Sequence, residues 1–198
     1  MLKHLRSAFI LMSLLTLLLG VAYPLAMTGL AQTLFPAQAR GGLIVRDGVT
    51  IGSRLIGQNF RQEKYFHGRP SATTDVGSDG KTIEAPYNAM GSSGSNLGPI
   101  SKALIERVKN EADALRAENP KPIPVDLVTT SASGLDPHIS VAAAKFQLPR
   151  VARARGLSEA AVQSLVAAYT ERPLLGVIGE PIVHVLELNL ALDRLEKK

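Results

Sequence analysis

From Ser7 to Ala39 the chain carries no Asp, Glu, Lys, Arg or His, and this single stretch decides what the rest can be. A hydrocarbon core of ~30 Å takes about 20 apolar residues at ~1.5 Å each, and Ala8 to Ala31 supplies them. The stretch predicts a transmembrane helix and its outer extension over residues 8–35. Lys3, His4 and Arg6 precede it, and no basic residue follows until Arg40. The positive-inside bias therefore puts residues 1–7 in the cytoplasm and everything beyond the span outside. Pro24 is expected to kink the helix and not to end it, because neighbouring groups can satisfy the freed carbonyl. Ala37-Gln38-Ala39 offers a small-residue cleavage pattern, but a signal peptide has an apolar core of roughly 7 to 15 residues. The much longer run here predicts a retained anchor.

Beyond the anchor lies enough chain for one ordinary module, expected as a single extracytoplasmic domain over residues 40–198. Of 22 basic residues against 17 acidic ones, Lys3 and Arg6 precede the span, which leaves the outer part at +3. That balance excludes a nucleic-acid binder. The absence of cysteine excludes disulfides, thiolate zinc sites and thiol catalysis, and the absence of Trp argues against an aromatic cage.

The pattern after the anchor predicts an α+β fold. Leu43–Val45 and Val49–Ile51 flank Asp47-Gly48, a hairpin signal, and a third extended piece is expected at Leu55–Gln58. Residues 66–99 are dominated by Gly, Ser, Pro, Asn and Thr, with isolated anchors such as Tyr87 and Met90, and predict an ordered but irregular surface. Pro99 opens a helix in which Ile100, Leu104, Val108, Ala112 and Leu115 recur at helical spacing until Asn119-Pro120. Val125–Thr130 reads as a strand after a proline-rich connector. A helix from about Ser140, interrupted or bent near Pro149, is followed by one capped by Ser158, with Leu157 and Val162 as its staple, running to about Thr170. The tail alternates Leu186, Leu188, Leu190 and Leu192 as a strand would, but it has no β-branched residue past Val185 and is assigned to helix.

Familiar catalytic patterns fail on inspection. Asp75–Thr82 ends in Gly-Lys-Thr, but it has no leading Gly and no preceding strand, and Pro86 obstructs the helix that should follow, so it reads as a polar turn. Gly91–Gly98 lacks the spacing of a nucleophile elbow. His67, His138 and His184 are scattered singly, without helical zinc spacing. Lys145, Arg150, Arg153 and Arg155 form a basic run that reads as a solvated face or a surface for lipid headgroups or an acidic partner.

Several stretches, in order, carry a resemblance: Gly68-Arg69-Pro70-Ser71-Ala72, Tyr87-Asn88, Ser93 to Pro99, Ser133 to Ser140 with Asp136-Pro137-His138, Arg150 to Arg155, and Gly179-Glu180 leading to Val185–Asp193. Behind one N-terminal span, this set resembles the C subunit of the Kdp-type potassium-transporting ATPase over nearly the whole chain. The resemblance implies a non-catalytic subunit in a bacterial plasma membrane, needed for assembly and stabilisation. Its implied partners are a channel-like potassium-binding subunit, a P-type ATPase subunit, a small F peptide and membrane lipid. ATP and potassium belong to that complex, with no cofactor assigned to this chain. The resemblance further implies a role as catalytic chaperone that raises the ATP affinity of the ATPase subunit, with Gln58 of Leu55-Ile56-Gly57-Gln58 as the nucleotide contact. Charge bias places Gln58 outside, across the bilayer from ATP, and a neutral Gln lacks cationic or Gly-rich phosphate contacts.

The residues themselves offer a structural subunit whose Arg69, Tyr87, Asn88, Asn96, Asp136 and His138 are candidate partner contacts. The small residues Gly20, Ala22, Ala26, Gly29 and Ala31 allow close helix approach in the outer half of the span. The competing class is a membrane-anchored extracytoplasmic enzyme or binding protein using His67, Asp136 and His138.

Overall fold

The computed structural model describes residues 2–195; Glu196, Lys197 and Lys198 of the expected tail helix lie outside the described residues. The chain divides into two compact units at Ser53/Arg54.

The first unit opens with helix α1, Leu2–Leu17, which passes through a π-helical turn, Leu18–Ala22, into α2, Tyr23–Leu34. Tyr23 N–H reaches back to Leu18 O, five residues away, so the turn widens immediately before Pro24. That extra width takes up the proline ring and its missing donor, and the helix goes on. Residues His4–Leu34 are long and apolar enough to cross a membrane, with a mean hydropathy of 2.2 and none of their apolar window buried. A short helix α3, Pro36–Ala39, leads to strands β1, Leu43–Arg46, and β2, Val49–Ser53. These pair antiparallel with a bulge between Ile44 and Val45. Asp47 (φ 53°) and Gly48 (φ 77°) make the tight turn expected of Asp-Gly.

The second unit is α+β, as its pattern predicts. Leu55–Gln58 forms no strand; Leu55 lies in a turn, and Gly57 N–H donates to Leu135 O at 2.8 Å. Within the irregular stretch a small hairpin stands out: β3, Thr74–Val76, against β4, Thr82–Glu84. Asp75–Thr82 runs from β3 through a polar turn into β4, the turn closed by Gly77 N–H to Lys81 O at 2.8 Å. Helix α4 spans Lys102–Glu118 with Ser101, not Pro99, at its cap, and Ile100 is 91% exposed instead of joining the apolar face.

Val125–Thr130 is not a strand. Val125–Leu127 curls into a 3-10 turn, because the Asp126 carboxylate accepts both the backbone N–H (2.7 Å) and the hydroxyl (3.1 Å) of Ser140. Thr129 Oγ1 closes the same curl on Val125 O at 2.8 Å. Strand β5, His138–Ser140, feeds α5, Val141–Arg155, whose first turn Ser140 caps through Ala143 N–H. Pro149 lies inside α5 without ending it; the carbonyl it strands belongs to Lys145, on the exposed side. Gly156 (φ 64°) closes the helix in the left-handed conformation.

Helix α6, Glu159–Ala168, carries the expected Ser158 cap, accepting from Ala161 N–H, and Leu157 and Val162 both join the core cluster. Strands β6, Thr170–Glu171, and β7, Ile182–His184, complete a three-stranded sheet in the order β5-β7-β6. The tail is helix α7, Val185–Leu195. Leu186, Leu188 and Leu192 are buried together with Val185, Asn189 and Ala191, a helical face that the apparent alternation concealed. Around this sheet, Phe66, Ile139, Val151, Val162, Val166, Val183 and Leu188 form the core.

Candidate functional site

Two amide side chains fix the segment from which the site is built. Asn189 of α7 accepts from Phe66 N–H and donates to Phe66 O, both at 2.9 Å. Gln147 of α5 does the same for the next residue, His67, at 2.8 and 3.1 Å. Two successive residues are thus held by side chains that are themselves 1% and 2% exposed. Arg150 donates to the carbonyls of Glu63 and Tyr65 and pairs with Glu118 at 2.8 Å. Arg155 donates to Lys64 O at 2.6 Å and pairs with Asp193 at 2.9 Å. The basic run is therefore not one solvated face. Lys145 and Arg153 are exposed, while Arg150 and Arg155 turn inward and stitch residues 63–65 to the core.

Arg69, just beyond this segment, pairs with Asp136 at 3.1 Å and donates to the carbonyls of Thr129 and Thr130 at 3.4 and 3.3 Å. Tyr87 (φ 63°) donates its hydroxyl to Arg69 O at 2.7 Å, and its ring lies against Gly57 and Gly68, where any Cβ would collide with it. Burial pushes the Tyr87 phenol up, with Asp136 adding to the effect. Burial also pushes the Asp136 carboxyl up, but the hydrogen bonds from His138 and Arg69 outweigh it and hold the group below its ordinary value. His138 N–H donates to Asp136 Oδ1 at 3.0 Å, and its ring meets His184 edge-on at 5.1 Å.

The candidates thus fall into two sets. Arg69, Tyr87, Asp136 and His138 form one network beside Gly57, the residue before half-buried Gln58. Asn88 sits at its margin, donating to Thr74 O at 2.9 Å, and Asn96 is exposed elsewhere on the irregular surface. His67 is not joined to Asp136 and His138 as the competing enzyme reading requires; its Nε2 meets Gln62 O at 3.1 Å, and burial, then the Arg150 charge, lowers its pKa.

Next to the network lies a cavity of about 380 Å³ that sequence reasoning missed. Phe60, Leu115 and Leu127 give it apolar walls, while Arg69, Glu111 and Glu118 put charge at its margin. Burial pushes the Glu111 carboxyl up against the opposing pull of Arg107. The signal was present in the sequence: Glu111 and Glu118 stand seven residues apart, astride Leu115, on one helix face. The space suits a small ligand or one large side chain.

Comparison with known proteins follows the whole length of this architecture. Residues 5–194 match the family described as K+-transporting ATPase, c chain. Proteins named potassium-transporting ATPase KdpC subunit from Bradyrhizobium diazoefficiens and Rhodopseudomonas palustris strain BisB5 are each 61% identical to this chain, over 100% of both sequences. One of the same name from Methylobacterium nodulans is also 61% identical over 100% of both. The chain belongs to the KdpC family, the c chains of the K+-transporting ATPases.

Proposed function

We propose that this chain is an accessory, non-catalytic subunit of an ATP-driven potassium uptake complex, anchored by its 4–34 helix and needed for the complex to assemble. The reading is carried by a family match over residues 5–194 in a chain whose helix at 4–34 is long and apolar enough to cross a membrane, with none of its apolar window buried. The implied partners are a channel-like potassium-binding subunit, a P-type ATPase subunit and a small F peptide. The N-terminus lies in the cytoplasm, and residues 40–198, the hairpin that ends the first unit and the whole of the second, lie outside the plasma membrane. On this topology Gln58 and ATP stand on opposite sides of the bilayer. Any effect on nucleotide affinity then travels through subunit contacts and not through Gln58.

Purification of the tagged chain in mild detergent tests the reading, with the ATPase and channel-like subunits expected to copurify and to be lost when residues 4–34 are deleted. A chain that purifies alone overturns it. A complex that assembles normally but loses all uptake after His67, Asp136 and His138 are together changed to Ala would return the argument to the enzyme class. A phosphatase fused at the C-terminus is expected to be active; an inactive but stable fusion would reverse the topology.

A further inference from the structure

Between β6 and β7 the chain projects an apolar tip. Leu174, Leu175, Val177 and Ile178 are 68%, 84%, 81% and 60% exposed. The tip is a closed turn and no loose loop. Leu174 and Ile178 exchange backbone hydrogen bonds at 3.0 Å, Gly176 N–H donates to Pro173 O at 2.9 Å, and Val177 N–H donates to Leu174 O at 3.2 Å. Pro173 has no N–H to satisfy. The backbone donors of Leu174, Gly176, Val177 and Ile178 are thus paired, which reduces the penalty that bars irregular loops from apolar surroundings. Leu175 is held at φ 55°, a region disfavoured for a leucine, with its side chain outward.

We propose that this tip enters the interfacial layer of the same bilayer that the 4–34 helix crosses. From Pro173 to Gly179 no side chain carries a hydrogen-bond donor or acceptor. A protein interface forms about one hydrogen bond per 100–200 Å², and the tip's side chains have none to give, whereas lipid requires only apolar area. Arg172 and Glu180 stand at its neck, where charged ends remain in the headgroups. At its base lies a groove of about 720 Å³ in which Val141, Ala142, Pro173 and Pro181 are joined by the polar Ser140, Thr170 and Arg172. The second unit starts at Arg54 and the apolar helix ends at Leu34, so the chain between them reaches at most about 70 Å. The inference rests on the retained span, not on which side the domain occupies.

The chain has no cysteine, so Val177→Cys places one thiol for an environment-sensitive dye on the full chain in phosphatidylcholine vesicles. The dye is expected to be quenched by headgroup-level nitroxide lipids and to be several-fold less accessible to aqueous iodide than one at Met90→Cys, a position 95% exposed. Leu174→Cys serves if the first variant misfolds, and adding Leu175→Asp is expected to return its dye to water. Iodide access equal to that at Met90→Cys, in chain that floats with the vesicles, overturns the inference alone. Protection that arises only in the assembled complex and escapes lipid quenchers assigns the tip to a protein partner. Failure to float overturns the anchored reading and this inference together.

Discussion

His184 Nδ1 accepts the backbone N–H of Glu187 at 3.3 Å, so the last residue of β7 caps the first turn of α7. Its Nε2 faces Arg54 O at 2.9 Å, which fixes the neutral tautomer with the proton on Nε2. Protonation at Nδ1 would remove the cap and put a buried positive charge at the positive end of the helix. Burial lowers its pKa from the ordinary 6.5; the Arg54 carbonyl, Glu187 and Glu171 oppose this, and His138 adds to it. The unfolded chain therefore takes up the proton first. Stability is full above about 6.5 and falls with pH below it, by at most about 1.4 kcal/mol per pH unit for one group, until the folded-state pKa is reached. Melting of the detergent-solubilised chain between pH 7.5 and 5 checks this. His184→Asn keeps a capping acceptor and is expected to flatten the profile, leaving the part due to His67, which burial also lowers.

Gly57 is buried, and a Cβ there would stand 2.7 Å from Asp136 O and collide with the Tyr87 ring. Gly57→Ala is expected to cost about 1 to 3 kcal/mol in denaturant unfolding. Tyr87→Phe removes only the bond to Arg69 O and should cost about 1 kcal/mol. Tyr87→Leu combined with Gly57→Ala should be less harmful than the sum of the two, since one steric conflict is shared.

Replacing Asn189 by Leu keeps the volume of α7's buried face but leaves the backbone N–H and C=O of Phe66 without their partner. A loss of about 2 to 5 kcal/mol is expected, with hydrogen exchange rising first at residues 63–67. A loss below about 1 kcal/mol would mean that the clamp contributes little.

Photocrosslinkers at Asn88 and Asn96 test how residues 68–99 are used. The expected outcome is capture of the channel-like subunit from both positions, which would put this surface against it. Capture of lipid alone, or of a cytoplasmic ATPase domain, would refute the placement.

Where local chemistry decided the structure, the sequence was readable: Asp47-Gly48 for the hairpin, Ser158 with Leu157 and Val162 for α6, and the uncharged run for the span. The strands β5, β6 and β7 have two or three residues each, too few for any period to appear, and they exist because α5, α6 and α7 pack around them. Val125–Thr130 has strand composition, yet the Asp126 bond to Ser140, fourteen residues away, curls it. Arg69, Tyr87 and Asp136 stand far apart in the sequence as candidate partner contacts, and the fold joins them in one network. The inward turn of Arg150 and Arg155 is not legible in the basic run, because the carbonyls they meet are brought from residues 63–65 by the fold.

The widened turn at Leu18–Ala22 also changes how the apolar helix must be counted. One additional residue within a turn rotates everything beyond it by about 100° relative to an unbroken helix. Ala26 and Gly29 therefore do not continue the stripe that a uniform 3.6-residue ruler would draw from residues 4–17. The rod has two angular phases, and a neighbouring helix that follows one side of the inner half meets a different side of the outer half. Two helices can consequently contact it at different depths of the bilayer without competing for the same face.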